Sequence, residues 1–372
     1  MRQSPLRHID KLIRWLEARL GPVGSSAIIG LLVFGIAFLF VSGVEVRSGA
    51  HGKWYQAISE DPFAFAESPV YFRLLGPMLG YLTALRGPLF LWLTAAFSIA
   101  LPAFIFFRQR KQGWDPLAAS GLAGLIGFSS MTYIHFIAQG YVDPISYFWV
   151  YLAFVFARKG PLMCLFFALA GLTHESNLVL FPALWMYAIS LGERKQVKTL
   201  LINGLWVALA FVPLILLRQY IAAQTTVAFD TDFYLSIQNV KGVLKQTWGF
   251  LPIGIFYAFK LGWILPVLAV YEMWKRKISF WQWASLLMIL LCVSAQALVA
   301  IDLGRLFDLA FPALLLAGYY LYEVYGSETF VRISWGIILL NFLLPQYFVA
   351  GKAIHPMFPI WFDWIKDWIM AL

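Results

Sequence analysis

Charged residues are scarce in this sequence, and their scarcity indicates the class of protein. Only 13% of the 372 residues are charged and 61% are hydrophobic, whereas a soluble domain has about 25% charged and roughly 45–50% apolar residues. Because a soluble globule could not bury so large an apolar excess, the composition predicts an integral membrane protein. The expected partner is the lipid bilayer, and neither a soluble module nor a nucleic-acid partner is expected.

Cysteine and several catalytic motifs are also missing or nearly so. The two cysteines, Cys164 and Cys292, lie in predicted apolar spans and are typical of small core residues rather than of a disulfide or metal pair. The sequence has no HExxH zinc motif, no GxxxxGK[ST] phosphate loop and no GxSxG nucleophile elbow. These absences argue against a zincin, an ATP-driven pump within this chain and a serine hydrolase of the elbow type.

Long apolar runs take the place of polar segments. A helix needs about 20 residues to span a bilayer, and the runs predict an all-α, polytopic helical membrane protein with about ten to eleven crossings in one domain. The runs are 25–44, 88–107, 116–135, 141–157, 200–220, 250–274, 280–301, 306–325 and 330–350, together with an interrupted run at 161–192.

Both ends of the sequence have an amphipathic pattern. In residues 1–23, apolar residues recur at helical spacing between basic residues, which favours an interfacial helix over a cleaved signal peptide. Residues 353–372 contain IWFDWIKDWIM, in which tryptophans and charged residues fall on opposite helical faces. We therefore expect a second interfacial helix at the C-terminal end.

Basic residues predict the orientation of the chain in the membrane. Lys and Arg cluster in the first 20 residues and in RQRKQ (108–112), RK (158–159), ERKQVK (193–198) and KRK (275–277). The positive-inside rule places these clusters, and the N-terminus, in the cytoplasm. Residues 45–87 then form the first outer loop.

The segment THESN (173–177) interrupts an apolar run whose two flanks are both predicted to be cytoplasmic. The chain must therefore enter the membrane and return. Arms of about 12 and 15 residues reach only roughly 18 to 22 Å at about 1.5 Å per residue, less than the approximately 30 Å hydrocarbon core. We expect a broken-helix hairpin with THESN in the outer half of the membrane, buried in protein or lining a wet cavity.

Three further polar motifs fall on the same predicted outer face: the first loop (45–77), YVDP (141–144) and IDLGR (301–305). Ionisable groups at membrane depth are costly and usually line substrate or ion pathways. This shared face is therefore the main indication of a functional site.

Each of these polar motifs also has a purely structural interpretation. The pair His174 and Glu175 could simply satisfy the backbone of the broken helix. Asp143, which precedes a proline, could act only as a helix cap. Asp302 and Arg305 could be a local ion pair.

The order of these motifs resembles the GT-C superfamily of integral membrane glycosyltransferases, which use polyprenyl-phosphate sugars as donors. The resemblance rests on HGKWYQAI (51–58), YFRLLGPML (71–79), THESNLVLFP (173–182) and DLGRLFDLAFP (302–312). It implies transfer of a sugar to an envelope lipid or polysaccharide on the outer face of a bacterial inner membrane.

The resemblance and the side-chain chemistry together nominate candidate residues. An inverting transfer needs a general base for the acceptor hydroxyl, and a leaving lipid phosphate needs forked cationic donors. The catalytic candidates are Glu45, His51, Asp61, His174 and Glu175; the substrate-binding candidates are Trp54, Tyr55, Arg73, Asp143, Asn177, Asp302 and Arg305.

One departure from the family pattern concerns the base. His51 stands where the family usually has its catalytic aspartate, so Glu45, or Glu60 or Asp61, would have to supply a carboxylate there. No cofactor is expected. Carboxylates beside a histidine are the ligand types that a divalent metal accepts, but their spacing does not require a metal.

Two other classes of function fit the same features. A transporter or lipid flippase would also have a broken helix with charges at mid-depth. A non-catalytic scaffold of envelope polysaccharide assembly would explain the loss of the usual aspartate at His51. The sequence specifies neither the sugar, the carrier and the acceptor nor the oligomeric state.

Overall fold

The protein is an all-α, polytopic helical membrane protein with one short β-hairpin. The computed structural model describes residues 5–41, 50–64, 72–192, 197–224, 236–350 and 353–357. Its helices are α1 Pro5–Leu39, α2 Ala50–Glu60, α3 Leu75–Leu82, α4 Phe90–Lys111, α5 Pro116–Gly127, α6 Ser130–Ile137, α7 Asp143–Val155, α8 Gly160–Thr173, α9 Phe181–Ser190, α10 Val197–Leu209, α11 Val212–Gln224, α12 Ile237–Thr247, α13 Leu251–Phe259, α14 Ile264–Lys275, α15 Phe280–Gln296, α16 Leu303–Asp308 and α17 Phe311–Leu343.

Few helical stretches are long and apolar enough to cross a membrane. Among the described residues there are four, Leu6–Leu39, Gly87–Lys111, Val197–Gln224 (α10 and α11) and Ile237–Lys275 (α12 to α14), or five if the bent pair α5 and α6 is one span. This number is smaller than the ten to eleven crossings expected from the apolar runs. The other runs fold into shorter helices or are interrupted, as at His174 and Gly326, so no single helix covers them.

Helix α1 consists of two parts that meet at Gly21. The backbone of Gly21 is non-helical (φ 69°, ψ 179°) and Pro22 follows it. The part before Gly21 is tied to the far end of α4, because Arg110 forms a bidentate ion pair with Glu17. Arg14 also reaches Asp115 at the start of α5, with 3.1 Å between Nη2 and Oδ2.

Helix α17 is likewise made of two parts that meet at a non-helical glycine. Gly326 has φ 74° and ψ 174°, and the rings of Tyr322 and Phe330 on either side of it are 5.9 Å apart. Trp114 contacts both rings, stacking on Tyr322 at 3.7 Å. Residues eight apart in a straight helix would be about 12 Å apart, so the two predicted runs 306–325 and 330–350 are separated at Gly326.

Helices α8 and α9 form the two arms of the hairpin that the sequence predicted around THESN. Phe167 on α8 and Phe181 on α9 both contact Phe211, with ring centroids 6.5 and 5.7 Å apart. Further along α9, Trp185 donates a hydrogen bond to the carbonyl of Leu200, near the start of α10. The chain therefore turns back after α8, which confirms the predicted reversal.

The C-terminal part of the described chain differs from the expectation. Residues 353–357 were expected to begin an interfacial helix, but they form a strand, Ala353–Met357, which pairs antiparallel with the strand Gln346–Ala350. The first strand is rich in aromatic and β-branched residues, which favour extended backbone. The remainder of the expected helix, residues 358–372, lies outside the described residues.

Candidate functional site

The break between α8 and α9 is held open by polar side chains of THESN itself. His174 leaves the helical conformation (φ −155°, ψ 113°), and its Nδ1 accepts a hydrogen bond from the backbone N–H of Ser176. Asn177 is buried, and its amide nitrogen donates to the carbonyls of Ala170 and His174 at 2.9 and 2.8 Å. Each of these carbonyls also accepts a backbone N–H, from His174 and Asn177 respectively, so the amide of Asn177 adds a second donor that fixes the turn.

A second helix fixes the same turn from outside. Gln296, at the end of α15, donates a hydrogen bond to the carbonyl of Ser176. His174 and Asn177 therefore have the structural role that the sequence also allowed, in which polar side chains bond to the backbone of the broken helix. Glu175 takes no part in it through its carboxylate, which is directed away from the turn towards Arg73.

Glu175 forms a bidentate ion pair with Arg73, which lies between α2 and α3. The two guanidinium–carboxylate distances are 2.9 Å (Nε to Oε2) and 2.8 Å (Nη2 to Oε1). The third side of the guanidinium donates to the hydroxyl of Tyr55 at 3.0 Å, and Tyr55 is fully buried on α2. The charge of Glu175 is therefore compensated by Arg73, since a buried carboxylate without a partner would be strongly penalised.

Arg305 forms the second ion-paired group. It makes a bidentate contact with Asp143 at the start of α7, at 3.0 and 2.8 Å, and a contact with Asp302 at 3.0 Å. The carboxylate of Asp143 makes no capping hydrogen bond, since Val142 is the N-cap residue. Asp143 therefore acts as a partner of Arg305 rather than as a helix cap.

Tyr141 joins the two ion-paired groups. The guanidinium of Arg305 lies over its ring, 4.3 Å from the centroid, and the ring of Tyr55 meets it edge-on at 6.4 Å. Hydrogen bonds connect Glu175 to Arg73 and Arg73 to Tyr55, and ring contacts continue from Tyr55 through Tyr141 to Arg305. We call Tyr55, Arg73, Tyr141, Asp143, His174, Glu175, Asp302 and Arg305 the polar cluster.

The polar cluster reaches the protein surface and has an excess of negative charge. The side chains of Arg73, Glu175 and Asp302 are 19%, 23% and 30% exposed. Two guanidinium groups face three carboxylates, which leaves one carboxylate without a full cationic partner. Asp302 Oδ1 and Arg305 Nε have no hydrogen-bond partner among the described residues, so a polar ligand would find both an acceptor and a donor.

The remaining candidates belong to residues 45–61. Glu45 lies outside the described residues, as does the side chain of His51, whose backbone is in α2. Asp61 accepts hydrogen bonds from the backbone N–H groups of Phe63 and Ala64 in a turn of its own. Trp54 is 43% exposed on α2.

Two residues of the site have no counterpart among the candidates from the sequence. Tyr141 is the first residue of the motif YVDP, but only the folded chain shows that its ring lies against Arg305. Gln296 lies within an apolar run, where a lone amide is a weak signal. No group of three or more metal-ligating side chains with the geometry for a metal ion occurs in the part of the chain that the structure describes.

The chemistry available at the polar cluster is proton transfer and anion binding. Carboxylates can accept a proton from a hydroxyl, and the two guanidinium groups can bind phosphate oxygens in a forked geometry. Comparison with protein-family models, with curated proteins and with solved structures finds no match to this chain.

Proposed function

We propose that this protein is a membrane glycosyltransferase that moves a sugar from a polyprenyl-phosphate donor to an envelope lipid or polysaccharide. The observation that carries the proposal is the bidentate pairing of Arg73 with Glu175, at 2.8 and 2.9 Å, beside the Arg305 group. A base and two phosphate-binding cations thereby lie in one partly exposed cluster. In this proposal the cluster faces outwards from a bacterial inner membrane, with the N-terminus in the cytoplasm.

The ion pairs also suggest how donor binding would prepare the base. A lipid-linked phosphate that binds Arg73 competes with Glu175 for the same forked donors. Glu175 then loses its partner and becomes more basic, so it can take the proton of the acceptor hydroxyl. The acceptor oxygen forms the new bond to the anomeric carbon as the bond from that carbon to the phosphate oxygen breaks.

The leaving group in this scheme is the lipid phosphate, which keeps the electron pair of the broken bond. Arg305 is placed to stabilise that charge, because its Nε is unpaired while its other nitrogens hold Asp143 and Asp302. Fixed donors that are already oriented towards developing charge lower the barrier without reorganisation. Tyr141, which is partly exposed, offers a flat face with a polar edge for the sugar ring.

Asp302 is the second carboxylate that could serve as base. One of its oxygens is unpaired, and its side chain is the most exposed of the three carboxylates. Glu175, unlike Asp302, is freed from its ion pair only when Arg73 binds another anion. The two assignments can be separated by comparing variants of these two residues.

The test is sugar transfer by membranes that contain each variant, measured with radiolabelled polyprenyl-phosphate sugars as donors. We expect Glu175→Gln to lower transfer by about 10²- to 10⁴-fold, the contribution of a general base, while the protein stays folded and inserted. Glu328→Gln is a matched control, because Glu328 is 82% exposed in an ion pair with Arg332 remote from the polar cluster.

Each outcome of this assay has a distinct meaning. Loss of transfer in Asp302→Asn but not in Glu175→Gln would move the role of base to Asp302 and leave the class of reaction intact. Full transfer by both variants would contradict the proposed mechanism. Absence of transfer by the wild-type protein from any polyprenyl-phosphate sugar would contradict the proposed function.

A further inference from the structure

A second group of polar side chains lies in the bundle away from the polar cluster, at the end of α4. A cavity of about 20 Å³ lies there between α4, α7, α9 and α17. Its polar lining consists of Arg108, Tyr151, Tyr187 and Tyr319, and the rest of its wall is apolar. Arg108 belongs to the basic stretch RQRKQ, so this cavity is near the predicted cytoplasmic side.

Two buried donors of the polar lining make no hydrogen bond of normal geometry. Arg108 Nε and the hydroxyl of Tyr151 are both buried without a hydrogen-bond partner among the described residues. Tyr151 is only 1% exposed, and its hydroxyl lies close to that of Tyr319 without a bond of normal geometry. The oxygen of Tyr319 accepts a hydrogen bond from Nε2 of Gln109 at 3.0 Å, and the same hydroxyl lies close to Arg108 and Tyr151.

The electrostatic surroundings of the cavity are positive. The charged groups that act on the hydroxyl of Tyr187 are Arg108 and Arg158, with no carboxylate among them. The nearby Arg110 is neutralised by Glu17, whereas no carboxylate lies within 4 Å of Arg108 in the described part of the chain. A guanidinium in partly apolar surroundings without a counter-charge is costly, and a bound anion would offset that cost where a water molecule would not.

We propose that this cavity binds one monovalent inorganic anion of the size of chloride. A volume of about 20 Å³ holds a single group of the size of a water molecule. A chloride ion is close to that size, whereas a tetrahedral phosphate is larger. Arg108 supplies the charge and the hydroxyls of Tyr151 and Tyr187 supply further donors. The anion links α4, α7 and α9, and it therefore stabilises the folded bundle independently of any chemistry at the polar cluster.

The test compares thermal unfolding of the purified protein in sodium chloride and in sodium gluconate at equal ionic strength. A ligand that binds only the folded state raises the midpoint temperature with its concentration, so we expect a chloride-specific rise in the wild-type protein. Bromide should reproduce the rise, and phosphate should not, because phosphate is too large.

Two variants and a matched control make the test specific. Loss of a hydrogen bond to a charged group weakens binding by about tenfold or more, so Tyr151→Phe should raise the half-saturating chloride concentration by about that factor. Arg108→Gln should abolish the response. Lys111→Gln removes an exposed cation in the same last turn of α4 and should leave the response unchanged.

The proposal fails if chloride and gluconate give the same midpoints in the wild-type protein, since the cavity would then hold only water. It also fails if Tyr151→Phe responds to chloride as the wild-type protein does. Because Tyr151→Phe keeps the aromatic ring, a folded variant is expected even if Arg108→Gln does not fold. None of these measurements depends on sugar transfer, so their failure would be distinct from failure of the proposed function.

Discussion

Arg73 and Arg305 show how single charged residues are accommodated in a largely apolar bundle. Each guanidinium is held by carboxylates in bidentate geometry, and each also contacts a tyrosine. Removing one partner of such a pair leaves the other charge without compensation, which costs more than the pair itself contributes. The ion pairs therefore specify one arrangement of the segments that carry them.

This arrangement predicts a measurable coupling between Arg73 and Glu175. A double-mutant cycle with Arg73→Met and Glu175→Gln should give a coupling free energy of about 1–3 kcal/mol, because the pair is bidentate and mostly buried. The free energy of unfolding in detergent, followed by circular dichroism, measures it. The Arg332 and Glu328 pair, 74% and 82% exposed, is the control and should give only about 0.2–0.5 kcal/mol. Equal coupling in the two pairs would contradict the described geometry.

Glycines determine where the long helices of this protein change direction. Gly21 and Gly326 combine a φ of about 70° with a ψ near 180°, a conformation essentially confined to glycine. An added Cβ at Gly326 would meet no atom within 4 Å. The requirement for glycine at Gly326 is therefore one of backbone conformation and not of space.

A comparison of two glycines in α17 tests this explanation. Gly326→Ala should destabilise the protein by about 1–3 kcal/mol, the cost of forcing alanine into that conformation. Gly336→Ala, at a helical position where a Cβ would also meet nothing within 4 Å, should stabilise it by up to about 1 kcal/mol. The midpoint of thermal unfolding reports both effects. A midpoint that changes in the same direction and by the same amount in both variants would contradict the role given to Gly326.

Apolar periodicity predicted some elements well and others poorly, for identifiable reasons. The reversal at THESN followed from the charges on its two flanks, and the separation at Gly326 followed from polar residues between two apolar runs. The strand Gln346–Ala350 was expected to end a membrane span, because a short apolar run has the same composition in a helix and in a strand. Its pairing with Ala353–Met357 is a tertiary property that the run itself does not encode.

At the scale of the whole molecule, segments more than 100 residues apart meet in the polar cluster. Arg73 and Glu175 are 102 residues apart, and Asp143 and Arg305 are 162 residues apart. Charge scarcity made these contacts predictable, because a buried carboxylate in so apolar a chain has few possible partners. The ring of Tyr141 and the cavity beside Arg108 were not predicted, since tyrosine is common throughout the sequence and carries no charge.

The orientation of the chain is the claim on which the functional account most directly depends. The polar cluster must face the outside, and the ends of α4 and α14 must face the cytoplasm, as the basic residues predict. Single cysteines can report this orientation once Cys164 and Cys292 are replaced by alanine. Asp302 is 30% exposed within the polar cluster, and Gln112 is exposed at the end of α4.

The deciding measurement is labelling of Asp302→Cys and Gln112→Cys in intact cells with a membrane-impermeant thiol reagent. The account predicts that Asp302→Cys reacts in intact cells and that Gln112→Cys reacts only after the membrane is permeabilised. Denatured samples of both variants provide the control for total thiol. Labelling of Gln112→Cys in intact cells, with Asp302→Cys protected until permeabilisation, would place the polar cluster on the cytoplasmic side and contradict the account.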